Sequence, residues 1–351
     1  MNGISVIICC FNSAERLPTT LRYLAGQATD GLAWEVVVVD NNSTDSTAEV
    51  AWQEWQQLGS PARLTVVPES RPGLSMARET GLASSAYDLV MFCDDDNWLE
   101  NDYLRQAHTL MDLDAGIGIV GGLNTATADG PLPAWFAQVA YAYACGPQAE
   151  HDGEVSPQRL YVAGAGMVVR RSIFEELART GFQSQLLDRK GEELSSGGDT
   201  ELCFATALLG FKIVYSSRLK LFHYMEAKRL NWEYLLKLKK GHGKSYYKLD
   251  YYKRLYHNED IQQSWHELTR QKLRAMLSKH GAYVLHQYYI ASTKSEADIH
   301  TAEAVFYYEM LKAHFQMRKE HAQFVRYLTE FKKNISAHSI APAAPQSLLN
   351  K

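Results

Sequence analysis

The apolar positions of this chain follow two rhythms, and the change from one to the other divides it. Residues 4 to 11, ISVIICCF, form a near-continuous apolar run, the pattern of a strand buried on both faces of a sheet. Asn12 and Ser13 offer caps for a helix carried by Leu17, Leu21 and Leu24, and WEVVVVD supplies a second buried strand ending at Asp40. The polar turn NNSTDST leads into another helix. RLTVVP then reads as a strand, LSMARETGLASS as a helix and YDLVMFCDDD as a strand. This alternation predicts an open α/β sheet whose ligands lie beyond the carboxyl ends of its strands, where Asp40 and the run Asp94, Asp95, Asp96 fall.

Further along, YVAGAGMVVRRSIF reads as a strand entering a helix. Residues 187–200 form a polar, glycine-bearing loop able to act as a lid before the helix ELCFATALLG, and FKIVYSSRLKLFHY closes the pattern with a strand. From about Arg229 the chain turns helical, aromatic and locally basic, without further strand–helix alternation. The expected organisation is an α/β domain at 1–225, divided near residue 97 into two halves. A helical region at 226–335 and a frayed tail at 336–351 follow.

Composition bounds the function. With 351 residues, 46% hydrophobic and 22% charged, the chain can build an ordinary core of one large domain and a smaller one. A net charge of -4 gives no general affinity for nucleic acid. The 5 cysteines are scattered and form no CxxC pair, which fits a reducing cytosol. No signal-peptide pattern opens the sequence, and no apolar window reaches the roughly 20 residues that span a bilayer. A cytoplasmic protein is expected, touching membrane at most peripherally. The sequence carries no signal of oligomeric state.

Three successive carboxylates at the end of a buried strand are costly unless water or a cation neutralises them. Oxygen ligands suit Mg²⁺ or Mn²⁺. In a regular strand Asp94 and Asp96 share a face and Asp95 points away. The competing reading is a solvated acidic turn capping Trp98 and the next helix.

SVIICCFN, VVVVDNNSTDST, GLSMARETGL and MFCDDDN, in that order, resemble the family-two glycosyltransferases of the GT-A fold. The resemblance covers roughly residues 3–225 and continues through GAGMVVRRSIF and SGGDTELCFATALLGFKIVY. It implies a Rossmann-like mixed sheet flanked by helices, with a helical C-terminal subdomain outside the resemblance. It also implies an inverting, metal-dependent transfer of a sugar from a nucleoside diphosphate, expected to be UDP, to a glycan or lipid-linked glycan, as in polysaccharide and cell-envelope synthesis.

By that resemblance Cys9, Phe11 and Asp40 face the nucleoside, with Asn12 beside them. Phe11 could equally be core and Asp40 a helix cap. Arg78, and less so Arg71, would meet ribose or diphosphate, unless each pairs with a nearby acid such as Glu79. Asp94 and Asp95 belong to the donor side; Asp96, with Asp94 and His223, would hold Mn²⁺ or Mg²⁺. Asp199 matches the family's general base, with Glu201 as the alternative carboxylate, and a helix cap is the structural reading of Asp199.

Trp98, Trp135 and Trp232 could stack on sugars or fill the core. Lys237, Lys239, Lys240, Lys244 and Lys248, interleaved with tyrosines, could form either a membrane-facing basic helix or a solvated face. Other classes fit less well. A dinucleotide oxidoreductase would need G-x-G-x-x-G where CCFNSAERL stands, a sugar nucleotidyltransferase would need a glycine-rich basic loop there, and a processive synthase would carry QxxRW. A degenerate, partner-binding transferase is the non-enzymatic alternative.

Overall fold

A computed structural model describes residues 1–186, 197–274 and 297–337. Most of the expected lid, 187–196, and the expected tail from 338 onward lie outside the described residues. The first half follows the predicted alternation: β1 (Ile4–Cys10), α1 (Leu17–Ala25), β2 (Trp34–Asp40), α2 (Thr47–Gln57), β3 (Arg63–Pro68), α3 (Leu74–Ser84) and β4 (Leu89–Cys93). β4 stops at Cys93, so the three aspartates stand in a turn and not on the strand. The strand-face argument that separated Asp95 from its neighbours therefore does not apply.

Next come β5 (Asn97–Leu99), α4 (Tyr103–Leu113), β6 (Ile117–Thr127), the short α5 (Phe136–Val139), β7 (Gly153–Glu154), β8 (Val168–Arg170), α6 (Arg171–Arg179), α7 (Gly198–Leu208) and β9 (Lys212–Tyr224). Trp98 lies in β5, stacked between Tyr23 and Tyr224 with ring centroids at 5.6 and 5.0 Å, so it does not open a helix. Among the described residues the strands form one sheet in the order β3-β2-β1-β4-β8-β6-β9-β5, with β7 on β9. β3, β2, β1 and β4 are parallel, whereas β8 runs antiparallel to both β4 and β6. The order reverses at β1, which makes the crevice beyond β1 and β4 the place where a ligand reaches the sheet.

The unbroken apolar strands have both faces covered, as parallel strands require. Ile4, Val6 and Ile8 pack with Leu17, Leu21 and Leu24 of α1, Trp55 of α2 and Leu104 of α4. Ile7, Val37 and Val39 pack on the other face with Ala77 of α3, Ile173 of α6 and Phe204 of α7. That second core continues into α8 (Trp232–Tyr256) through Tyr247, Tyr251 and Tyr252. Helices Ile299–Gln316 and His321–Ala337 complete the described C-terminal part.

The lysines of α8 do not share one basic face. Lys239 is buried against Glu303 at 2.5 Å and Lys248 donates to the Gln185 carbonyl at 2.8 Å, while Lys237, Lys240 and Lys244 are exposed. Among the described residues no helix is long and apolar enough to cross a membrane.

Gly81 lets α3 lie directly on β1, because a Cβ there would stand 2.3 Å from Ile7 Cγ2. Gly81→Val should therefore lower stability by about 1–3 kcal/mol in urea unfolding through overpacking. An unchanged midpoint would show that α3 is not held this closely.

Candidate active site

β1 and β4 are paired in register, with Ile8 opposite Cys93, so the residues just past both strand ends meet. There the chain faces the problem of three adjacent carboxylates, and each finds a different neighbour. Asp95 turns toward α1, where it accepts from Ser13 Oγ and pairs with Arg16 at 2.7 Å, and its carbonyl accepts from Thr20 Oγ1 at 2.7 Å. Asp96 turns the other way. Its Oδ2 lies 2.6 Å from Arg229 Nη1 and its Oδ1 lies 3.4 Å from His223 Nε2. Fully buried Asn97 locks the turn by donating to Asp96 Oδ1 at 3.0 Å and accepting from the Asp94 amide at 3.2 Å.

Asp94 is left over. Among the described residues no donor or cation bonds its carboxylate, which lines a cavity of about 810 Å³. Burial, then the neighbouring Asp96 charge, raises its pKa to about 6, against the pull of Arg78 and His223. For Asp96 burial works in the same upward direction, but His223 and Arg229 overcome it and hold the carboxyl far below the ordinary range. Burial presses on the His223 imidazole from below. The Asp96 charge outweighs it and raises that pKa to about 10.

The same cavity is lined by Cys9, Phe11, Asp95, Asp96, Asp199 and His223. Phe11 stands at the rim, 57% exposed, so it is not core. Asp199 is not the helix cap. Gly197 takes that position with φ 123°, and Asp199 sits in the first turn of α7, where the helix N-terminus favours an anion. Its carboxylate pairs with Arg78 Nη1 at 2.6 Å and fits against Gly164, where a Cβ would come within 1.9 Å of Oδ2. The expected base and the expected phosphate arginine are thus bound to one another, with Arg78 also lying over the Phe92 ring at 5.0 Å.

Other expected residues stand outside the cavity lining. Asn12 accepts from the Thr44 amide at 2.8 Å and Asp40 accepts from the Ser43 amide at 3.1 Å, so both hold loops. Arg71 pairs with Glu69 at 2.7 Å and Glu79 at 3.2 Å, the acid pairing foreseen as its alternative. Glu201 is buried and accepts from Ser184, the amides of Gln185 and Leu186, and Tyr252 Oη, which makes it a clamp between the 184–186 segment and α8. Trp135 and Trp232 meet edge to face at 5.7 Å in a side core. Sequence reasoning missed Arg16, Asn97, Gly164 and Arg229. Only Asn97, adjacent to the acidic run, carried a local signal.

The residues fit a hard divalent cation, because Asp94 offers a carboxylate without a partner beside Asp96 and an imidazole. Among the described residues no three such side chains already converge on one point. Mg²⁺-type sites commonly use one or two protein carboxylates and complete their shell with water and phosphate. Such an ion would share Asp96 with Arg229.

A mixed α/β sheet of this order, with an acidic turn at its switch point, defines the GT-A class of nucleotide-sugar transferases. Residues 5–178 match the model of glycosyl transferase family 2. The uncharacterized glycosyltransferase Rv0539 of Mycobacterium tuberculosis is 30% identical over 138 residues, 39% of this chain and 56% of that protein. The chain spans between 14 and 56% of the first curated relatives it matches. In fold it is similar to the mannosyltransferase PcManGT of Pyrobaculum calidifontis, solved with GDP-Man and Mn²⁺, at TM-score 0.54 and 17% identity over 98% of this chain and 88% of that one. Staphylococcus aureus TarS with UDP-GlcNAc matches at TM-score 0.50 and 16% identity, covering 91% of this chain and 92% of that one.

The unpartnered carboxylate has a stability consequence. Its folded pKa, about 6, exceeds its ordinary value of 3.8, so the folded state gains protons relative to the unfolded one between these values. Stability from this group therefore falls as pH rises through that window. Asp94→Asn should raise metal-free stability on the order of 1–2 kcal/mol at neutral pH and flatten this part of the profile. No change in thermal midpoint would mean that Asp94 is already neutralised.

Proposed function

We propose that this chain is an inverting glycosyltransferase moving a sugar from a nucleoside diphosphate, UDP in the first instance, to a hydroxyl of a glycan or lipid-linked glycan. The observation that carries the reading is that one continuous cavity is bordered by the ends of the nucleotide-side strands, by the Asp94–Asp96 turn and by Asp199. The relatives solved with GDP-Man and Mn²⁺ and with UDP-GlcNAc support a nucleotide-sugar donor, and both nucleotides belong in the test.

Cys9 and Phe11 lie at the end where the nucleoside would enter, with the Phe11 ring free to cover a base or ribose face. Asp199 takes the proton from the acceptor hydroxyl as that oxygen bonds the anomeric carbon and the bond to the diphosphate breaks. Arg78, paired with Asp199 at 2.6 Å, is the cation that a donor phosphate would draw away, leaving the carboxylate open to the acceptor hydroxyl. Asp94, Asp96 and His223 would hold Mn²⁺ or Mg²⁺, which as a Lewis acid would stabilise the charge leaving on the diphosphate.

Asp199→Asn should lower transfer by roughly 10²–10⁴-fold while leaving donor affinity within a few-fold, and chelation should lower the wild-type rate. The measurement is product formation and nucleotide release with UDP- and GDP-sugars, with and without Mn²⁺. Equal rates in the variant and the wild type would discard the base assignment. Glycan binding without turnover would favour a degenerate binding protein, and formation of a sugar nucleotide from a nucleoside triphosphate would favour a nucleotidyltransferase.

A further inference from the structure

The cavity does not end at Asp199. Its lining continues with Tyr161 of the segment 159–164, Tyr246 of α8 and Phe306, an aromatic compartment of the same cavity. Tyr246 meets Phe306 edge to face at 5.4 Å and is 40% exposed, which leaves an aromatic face for the apolar side of a sugar ring. The compartment adjoins the base on two sides. Gly164 lies against the Asp199 carboxylate, and Gly197, which caps the helix bearing Asp199, packs against Ser245 beside Tyr246.

Charge at this end is unbalanced. Among the cavity's arginine and lysine side chains, Arg16 is matched by Asp95 and Arg229 by Asp96. Asp250, the acid on this stretch of α8, is already held by Lys272 at 2.8 Å. Arg159 and Lys253 are different. Neither has a carboxylate partner among the described residues, and both are half-buried. Arg159 lies over the Tyr161 ring at 4.5 Å and donates Nε to the Tyr161 carbonyl at 3.0 Å, which leaves its terminal nitrogens unengaged among the described residues. His257, one turn beyond Lys253, reaches the Pro157 carbonyl at 3.1 Å and so joins the end of α8 to the Arg159 segment.

We infer that Arg159 and Lys253 form an anion subsite for the acceptor, and that the preferred acceptor is a sugar bearing a carboxylate or phosphate. The inference rests on the transferase reading above. No more than about 18 Å of chain separates Arg159 from Gly164 at the base, a span suited to a charge carried by the acceptor itself.

The test titrates the full chain, with UDP and Mn²⁺ present, against glucuronate, a glucose phosphate and glucose. It uses wild type, Arg159→Gln, Lys253→Gln, the double variant and Lys253→Arg. At least one anionic sugar should bind about tenfold tighter than glucose, each Gln substitution should remove most of that margin, and Lys253→Arg should keep it. Which anion gains more identifies a carboxylate or a phosphate. UDP affinity, read on every variant, should stay level. Equal binding of charged and neutral sugars, binding of none at millimolar concentration, or a preference surviving in the double variant would overturn the subsite. So would a fall in UDP affinity in the Gln variants, which would give these cations to the donor. Failure of the wild type to bind any nucleotide or nucleotide sugar would instead overturn the transferase reading, and the sugar titrations would still report on the anion preference.

Discussion

The three aspartates after β4 are the constraint around which the molecule is arranged. Like charges on adjacent residues at the end of a buried strand repel one another, and each has lost water, so they are tolerated only if they are sent to different counterparts. The turn accomplishes this by leaving strand geometry at Cys93 and letting Asn97 fix the new direction. Asp95 then secures α1 through Arg16, and Asp96 secures the chain beyond β9 through Arg229. The middle residue and the last are thereby structural anchors. The first is left facing the cavity with its charge uncompensated.

That division ties the C-terminal helices to the chemistry. Arg229 reaches Asp96 across 133 positions of sequence, just before α8 begins. α8 then walls the cavity and meets the start of α7 at Gly197. Glu201 and Tyr252 bond α7 to α8, and Gly243 lets α8 press against the helix Ile299–Gln316, where a Cβ would meet the Phe306 carbonyl at 2.4 Å. The position of Asp199 is therefore set from both sides, by Gly164 beneath it and by α8 behind its helix. Part of the aromatic, basic stretch is spent on this packing: Lys239 and Lys248 point inward and Tyr247, Tyr251 and Tyr252 fill the core, while Lys237, Lys240 and Lys244 stay exposed.

The sequence alone was sufficient for the nucleotide half of the fold. Continuous apolar runs at 4–10, 34–40 and 89–93 become strands because burial on both faces of a parallel sheet demands that pattern locally, and helices with Leu17, Leu21 and Leu24 on one face follow from their spacing. It was also sufficient to place three carboxylates, Phe11 and Asp199 at the ends of such elements, whereas the turn that takes the carboxylates off the strand appears only in the fold. Tertiary structure decided the partnerships. That Arg78 holds Asp199, that Arg71 is occupied by Glu69, that Glu201 is a clamp and that Arg229 neutralises Asp96 are outcomes of which surfaces meet, and no local period encodes them. Periodicity reports the burial of a residue relative to its own element. The charge state and chemical use of a carboxylate depend on neighbours contributed by distant elements, and only the packed fold brings those together.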